Sequence, residues 1–236
     1  MTKRWKWRGI CAGLITSAMF FCTPGALAAE KLIWLVRDLP PMAVHDGPNK
    51  DQGIIDRLLP VLIANMPQYE HVIQRVNRAR SLQMLEGQEL ACDPMLVWNQ
   101  SRAQHIVYSS PIFGLRSNGL AIRRTDEQLI APFVHDQAVD LPALLSAQSV
   151  KLGLVAKRSY GVWIDDQLSK SPTDPIFIHY GNDAIGSLLQ MQHAGRLPTL
   201  LGYWPEIQSK AKQYGLSSKA LAFYPIQGAP AYQTIY

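Results

Sequence analysis

Lys31–Asp38 reads KLIWLVRD, an unbroken apolar run from Leu32 to Val36 that ends in Arg37 and Asp38. It lacks the apolar/polar alternation of a half-buried strand. A run of this kind reads as a strand covered on both faces, as in a parallel sheet flanked by helices. Pro40-Pro41 stops it, because proline has no N–H for a ladder. After a polar turn, DQGIIDRLLPVLIANM (51–66) places Ile54, Ile55, Leu58, Leu59 and Leu62 at helical spacing, with Pro60 as a weak point. A strand followed by an amphipathic helix is the opening of a βαβ unit.

The pattern continues in both directions of the argument. HVIQRV (71–76) reads as a second strand and ARSLQMLEGQ (79–88) as a second helix ending near Gly87. ACDPMLVW (91–98) follows, and HIVYSS (105–110) reads as a further strand. A second set starts with SNGLAIRRTDE, then a helix over Leu141–Ala147 and the strand VKLGLVA (150–156). Ser159 is placed to cap a helix running through Trp163. IFIHYGN is a strand, DAIGSLLQMQHAGR a helix finishing at Gly195, TLLGYW (199–204) a strand, IQSKAKQYGLSS a helix and ALAFYPI a strand. The terminal APAYQTIY also reads as a strand, with no covering helix after it, and a truncated C-terminus is expected. The fold class is α/β, in two lobes.

The N-terminus is set apart from that fold. MTKRWKWR carries four basic residues and no acid, GICAGLITSAMFF is an apolar run of thirteen, and CTPGALA ends in Ala26-Leu27-Ala28. The run is shorter than the ~20 residues a membrane helix needs. Basic, apolar and small-residue segments in this order predict a secretory signal peptide over residues 1–28, cleaved after Ala28, with an uncleaved anchor as the alternative. Neither Cys11 nor Cys22 sits in a lipoprotein context. The whole chain holds 23 Lys+Arg against 18 Asp+Glu. Removing the segment leaves nineteen against eighteen, so the apparent basicity belongs to the leader. No basic face remains that would predict nucleic-acid binding. A hydrophobic content of 47% with dispersed charge predicts a packed globular protein. Cys92 is the one cysteine beyond the leader. It reads as a small buried hydrophobe, a reactive thiol, or half of a pair.

The motifs of several enzyme classes are absent. The six histidines form no i, i+4 pair, and one cysteine cannot make a zinc ribbon. The sequence has no Gly-x-Ser-x-Gly elbow, phosphate loop or dinucleotide fingerprint. No cofactor and no metal is expected. Polar and aromatic groups instead gather at strand ends, where open α/β sheets bind ligands. They are Asp38 after the first strand, Trp98 and Arg102 ahead of HIVYSS, Arg158, Ser159 and Tyr160 at a strand-to-helix junction, and Tyr203 and Trp204 after TLL.

SRAQHIVYSSPIF (101–113) resembles the "eR...v.FS.PY" segment of the type II periplasmic solute-binding proteins, in their amino-acid-type branch (bacterial extracellular solute-binding protein family 3). GIIDRLLPVL is similar to that family's first helix, SLQMLEGQELACD to its "l..L..G..D" helix, VKLGLVAKRSYG to the start of its second lobe, and LLQMQHAGRLPTLLGYWPE to its "l..L..GR.Da" segment. The resemblance spans nearly all of Lys31–Tyr236 and rests on the order of five weak motifs. It implies a Venus-flytrap fold with lobe 1 at 29–117, lobe 2 at 118–225 and a return to lobe 1 starting at 226–236. The hinges would fall near Gly114–Asn118 and Tyr224–Gly228. The returning segment, which the resemblance implies is missing, would be the place for a partner to Cys92.

By the same resemblance Arg102 matches the arginine that grips a ligand carboxylate, and Arg158, Ser159 and Tyr160 match the second-lobe helix start that completes the anion site. Pro198 stands where the family carries an aspartate, and Tyr203 or Trp204 lies near the family's acidic position. The implied function is capture of a small anionic or amino-acid-like solute in an interlobe cleft. The protein would be a periplasmic monomer presenting the solute to an ABC transporter permease or a sensor, with no membrane insertion after cleavage. Two alternatives stand beside it. One is an enzyme on the same fold, a dehydratase of prephenate or arogenate type with Asp38 or Asp93 as its acid. The other is a sensory accessory protein that recognises another protein.

Overall fold

A computed structural model describes residues 29–236, so the expected signal peptide lies outside the described residues. Strand β1 (Glu30–Val36) pairs in parallel with β2 (Tyr69–Arg75), reached through helix α1 (Ile54–Ala64). Helix α2 (Arg78–Leu85) leads on to the two-residue strand β3 (Ala91–Cys92), which pairs in parallel with the other edge of β1. The first lobe is therefore a sheet of order β2-β1-β3. Its centre is KLIWLVRD. Leu32, Trp34 and Val36 pack with Met42, Ile55 and Leu59 on one face, and Ile33 and Leu35 with Met84 on the other. Both faces of β1 are buried, which is why the run shows no alternation. Helix α1 runs through Pro60 without a break. Its start is fixed by Asp56, whose carboxylate accepts from the N–H groups of Gly53 (2.8 Å) and Val44 (3.0 Å).

HIVYSS does not form the strand its pattern predicts. Arg102–Gln104 make a single 3-10 turn, and residues 105–110 run on without ladder partners. Ile106 is buried while Val107 is 97% exposed. The alternation is present, but among the described residues no strand pairs with it.

Strand β4 (Phe113–Arg116) leaves the first lobe, and β5 (Gly119–Arg123) enters the second. After the short hairpin β6 (Val134–His135) and β7 (Ala138–Val139) comes helix α3 (Leu141–Ala147), capped by Asp140. Then follow β8 (Leu152–Val155), α4 (Val162–Lys170), β9 (Ile176–His179), α5 (Ala184–His193), β10 (Thr199–Gly202), α6 (Trp204–Gln213) and β11 (Leu221–Pro225). The sheet order is β11-β5-β10-β8-β9; β10 and β9 run parallel to β8, and β5 is antiparallel to both β10 and β11. Leu120, Ile122, Leu152 and Leu201 face a core with Leu144, Tyr160 and Ile164, while Ala121 and Leu200 face Ile185, Leu188 and Ile207. Helices thus cover both faces of this sheet as well.

Two boundaries differ from the sequence reading. Helix α4 is entered at Gly161, not at Ser159. Gly161 has φ +100°, and a Cβ there would run into the side chain of Gln233. Helix α6 starts at Trp204, earlier than the reading at Ile207, because Pro205 suits a first helical turn. The terminal strand β12 (Tyr232–Ile235) is not left without a partner: it pairs antiparallel with β4. Tyr224 belongs to β11 and pairs with Leu120 inside the second-lobe sheet, and β12 follows it to pair with β4.

Candidate functional site

The carboxyl ends of β1, β2, β8 and β10 meet between the lobes and enclose two small cavities. One, of about 50 Å³, is lined by Arg78, Arg102, Arg116, Arg158, Ser159, Tyr203 and Glu206 together with apolar groups, Asn118 and Gln233. The other, of about 40 Å³, is lined by Arg37, Asp38, Arg78, Arg158, Asp183, Glu206 and Lys210 among others. Arg78, Arg158 and Glu206 line both, so they form the wall between the two halves of one cleft.

Most charges in the cleft can be followed to a partner. Arg37, after β1, donates from Nε to Asp93 Oδ2 (2.8 Å) and from Nη2 to the Met95 carbonyl (2.7 Å). Asp93 also accepts from Ser81 Oγ and the Met95 N–H. Burial opposes charge on Asp93, but the Arg37 guanidinium and these hydrogen bonds hold its pKa below the usual carboxylate range. On the second lobe, Arg158 Nη2 stands 2.8 Å from both carboxylate oxygens of Glu206. Lys210 Nζ reaches across to Asp38 Oδ2 on the first lobe (2.5 Å) and to Asp183 Oδ1 on its own (3.1 Å). Burial lowers the Lys210 pKa, but the two carboxylates outweigh it and raise it. Arg78 begins α2 with a different balance. Burial pushes its pKa down, and the guanidiniums of Arg37 and Arg158 push it further. Asp93 and Glu206 offset part of that, and an arginine keeps its proton under such pressure.

The residues chosen at strand ends divide into two groups. Arg102, Arg158, Ser159, Tyr203 and Asp38 all line the cleft. Arg102 Nη2 donates to the Lys157 carbonyl (2.8 Å), an interlobe bond from the first lobe to the second. Ser159 Oγ donates to Asp165 Oδ2 (2.5 Å). Burial, then Glu206, raises the Tyr203 phenol. Tyr160, Trp98 and Trp204 lie elsewhere. Tyr160 is buried in the second-lobe core; its hydroxyl accepts from the Val155 N–H (2.7 Å), and burial pushes its pKa up to about 12. Trp98 and Tyr160 line a separate groove with Trp163, Tyr232 and Tyr236. Trp204 stacks on Phe223 with ring centroids 5.0 Å apart.

Sequence reasoning passed over Arg78, Glu206, Lys210, Asn118 and Gln233. Arg78 follows the second strand directly, so the strand-end rule that selected Asp38 reaches it too. Lys210 carries no such signal, since it lies inside a helix that reads as amphipathic. Gln233 and Asn118 tie the crossing strands to the second lobe: Asn118 Nδ2 donates to Gln233 Oε1 (3.2 Å), and Gln233 Nε2 donates to the Tyr160 carbonyl. Cys92 packs against the first-lobe core, where burial pushes its thiol pKa up. A raised thiol pKa opposes the reactive-thiol reading. Among the described residues no group of three or more His, Cys, Asp or Glu is placed to hold a metal, and no helix is long and apolar enough to cross a membrane.

The fold is shared with known structures. A histidine kinase sensor domain with similarity to periplasmic binding proteins superposes with a TM-score of 0.65 at 14% identity, covering 88% of this chain and 82% of that one. The arginine-bound form of truncated (residues 20–233) ArgBP from T. maritima gives 0.59 at 16% identity, covering 87% and 85%. A structure from Streptococcus mutans, described for glutathione import via GshT and the cystine ABC importer TcyBC, gives 0.62 at 9% identity, covering 87% and 80%. No family model and no curated protein sequence matches the chain. The chain has the two-lobed α/β fold of the periplasmic binding proteins.

Proposed function

We propose that the protein captures a small solute bearing an anionic group, an organic acid or an amino-acid-like molecule, between its two lobes. The observation that carries this reading is the cavity lined by Arg78, Arg102, Arg116 and Arg158, with Glu206 as its one acidic lining residue. Guanidinium groups hold carboxylates and phosphates through paired N–H donors. Hinge strands β4 and β12 let the lobes part and close, and a solute that touches both lobes favours the closed state. The structural neighbours support the reading: they include an arginine-bound ArgBP and a kinase sensor domain. The closed protein would act outside the cytoplasm, delivering its solute to an ABC transporter or reporting it to a sensor.

A dehydratase would need a free acid in the cleft. Both carboxylates considered for that role are engaged, Asp38 by Lys210 and Asp93 by Arg37. The test is thermal unfolding of the purified protein against organic acids, amino acids and aromatic metabolites. A ligand at one hundred times its Kd adds about 2.7 kcal/mol, or roughly 5–11 °C for a domain of this size. If no compound raises the melting temperature, and the protein instead binds another protein through the cleft, the solute reading falls.

A further inference from the structure

The identity of the solute's charged group is written in which cleft charges already have partners. Asp38 accepts from Lys210 and from the His45 N–H, and Asp183 accepts from Lys210, the Gly186 N–H and the Tyr214 hydroxyl. Glu206 lies with both oxygens 2.8 Å from Arg158 Nη2, although its buried Oε2 makes no hydrogen bond. The chain thus supplies its own ammonium group, Lys210 Nζ, to Asp38 and Asp183, and a guanidinium to Glu206. Lys210 is 2% exposed, so water does not take its place.

The cations are less fully matched. Among the described residues, Arg78 makes no side-chain hydrogen bond or ion pair with an acidic group, although it is partly buried and lines both cavities. Nη1 of Arg158, in the same wall, is buried with no acceptor. Arg102 meets only a backbone carbonyl. Leaving a donor such as Arg158 Nη1 buried and unmet costs free energy that an oxyanion would recover. The cavities of about 50 and 40 Å³ each have room for a group the size of a few waters, such as a carboxylate or a phosphate.

We infer that Arg78 is the anchor for an oxyanion, assisted by Arg158 and Arg102, and that the solute carries no cationic group. This rests on the solute-binding reading and narrows it: a small carboxylate or phosphate is accepted, and a zwitterionic amino acid is disfavoured because Lys210 holds Asp38 and Asp183 and Arg158 holds Glu206. Arg78 differs from the arginine singled out by sequence, Arg102, in lacking any acceptor of its own. Its position at the start of α2, next to Asn77, which bonds Asn182 across the cleft (3.0 Å), brings it against the opposing lobe on closure.

The test is calorimetric titration of the purified protein with acetate, succinate, inorganic phosphate and L-glutamine. We expect one of the oxyanions to bind and L-glutamine to bind at least about tenfold more weakly. The acetate, succinate and phosphate arms separate a carboxylate from a phosphate solute. Arg78→Gln weakens the oxyanion by about tenfold or more, the loss of one charge-assisted hydrogen bond. Arg78→Lys retains part of the affinity. Arg78→Gln is also expected to leave the melting temperature of the unliganded protein unchanged or higher, since it removes a charge repelled by Arg37 and Arg158. L-glutamine binding more tightly than every oxyanion overturns the inference and leaves the solute reading standing. Unchanged oxyanion affinity in Arg78→Gln, or a lower melting point with normal affinity, shows that Arg78 is not the anchor. Failure of all three oxyanions overturns the inference, and the wider compound screen then decides the solute reading separately.

Discussion

Lys210→Met is the most informative single change to the closed form. Methionine nearly keeps the volume of the lysine side chain, so the substitution removes charge with little change in packing. Lysine 210 has 3% side-chain exposure and bridges Asp38 on one lobe to Asp183 on the other. Removing one partner of a buried ion pair costs about 3–5 kcal/mol, because the remaining charge is left uncompensated. Asp38 and Asp183 keep 21% and 29% of their side-chain surface, so water recovers part of that cost. The lower end, about 3 kcal/mol, is the expected loss. At 2–4 °C per kcal/mol it lowers the melting temperature by about 6–12 °C. The protein can also relieve the two carboxylates by opening, which scattering reads as a larger radius of gyration. Asp38→Asn combined with Lys210→Met should restore part of the loss, the sign of direct coupling. A Lys210→Met protein that melts within about 2 °C of the parent, with unchanged scattering, would refute the idea that this pair holds the lobes.

Arg102→Ala removes a partly exposed bond to the Lys157 carbonyl. It should cost about 1 kcal/mol in unfolding experiments while weakening solute binding; a large drop in melting point with normal binding would make Arg102 structural. Asp93 has its pKa depressed in the fold, so its contribution is present above the ordinary carboxylate pKa near 4 and is lost as pH falls through the lower folded value. Asp93→Asn should therefore flatten the decline in stability below about pH 4, read by urea titration at several pH values. Tyr160, raised to about 12, keeps its neutral hydroxyl on the Val155 N–H. Stability it supports should fade as pH rises above ~10, the unfolded tyrosine value, and Tyr160→Phe should lose that alkaline dependence. Gly161→Ala forces a side chain into the left-handed region and against Gln233, costing at least about 1–3 kcal/mol; an unchanged urea midpoint would show that the junction can shift.

How much of this was legible beforehand varies by element. β1 was clear because a strand buried on both faces shows as an uninterrupted apolar run, and α5 because its apolar spacing ends at a glycine with φ +73°. HIVYSS was misread because alternation describes which way side chains point and says nothing of whether a neighbouring strand exists. Ser159 was taken for a cap because its type suits one; in the fold its hydroxyl goes to Asp165, and Gly161 turns the chain into α4.

For the cleft, sequence alone determined that two α/β lobes exist and that charged groups gather at strand ends, since both follow from short-range pattern. It could not determine which charges remain free. That depends on partners far apart in the chain, such as Lys210 with Asp38 and Arg37 with Asp93. Only tertiary structure decides which guanidinium is spent on the protein itself and which is left for a solute. Arg102 and Arg78 carry the same side chain, but among the described residues one meets a backbone carbonyl across the cleft and the other meets no acceptor.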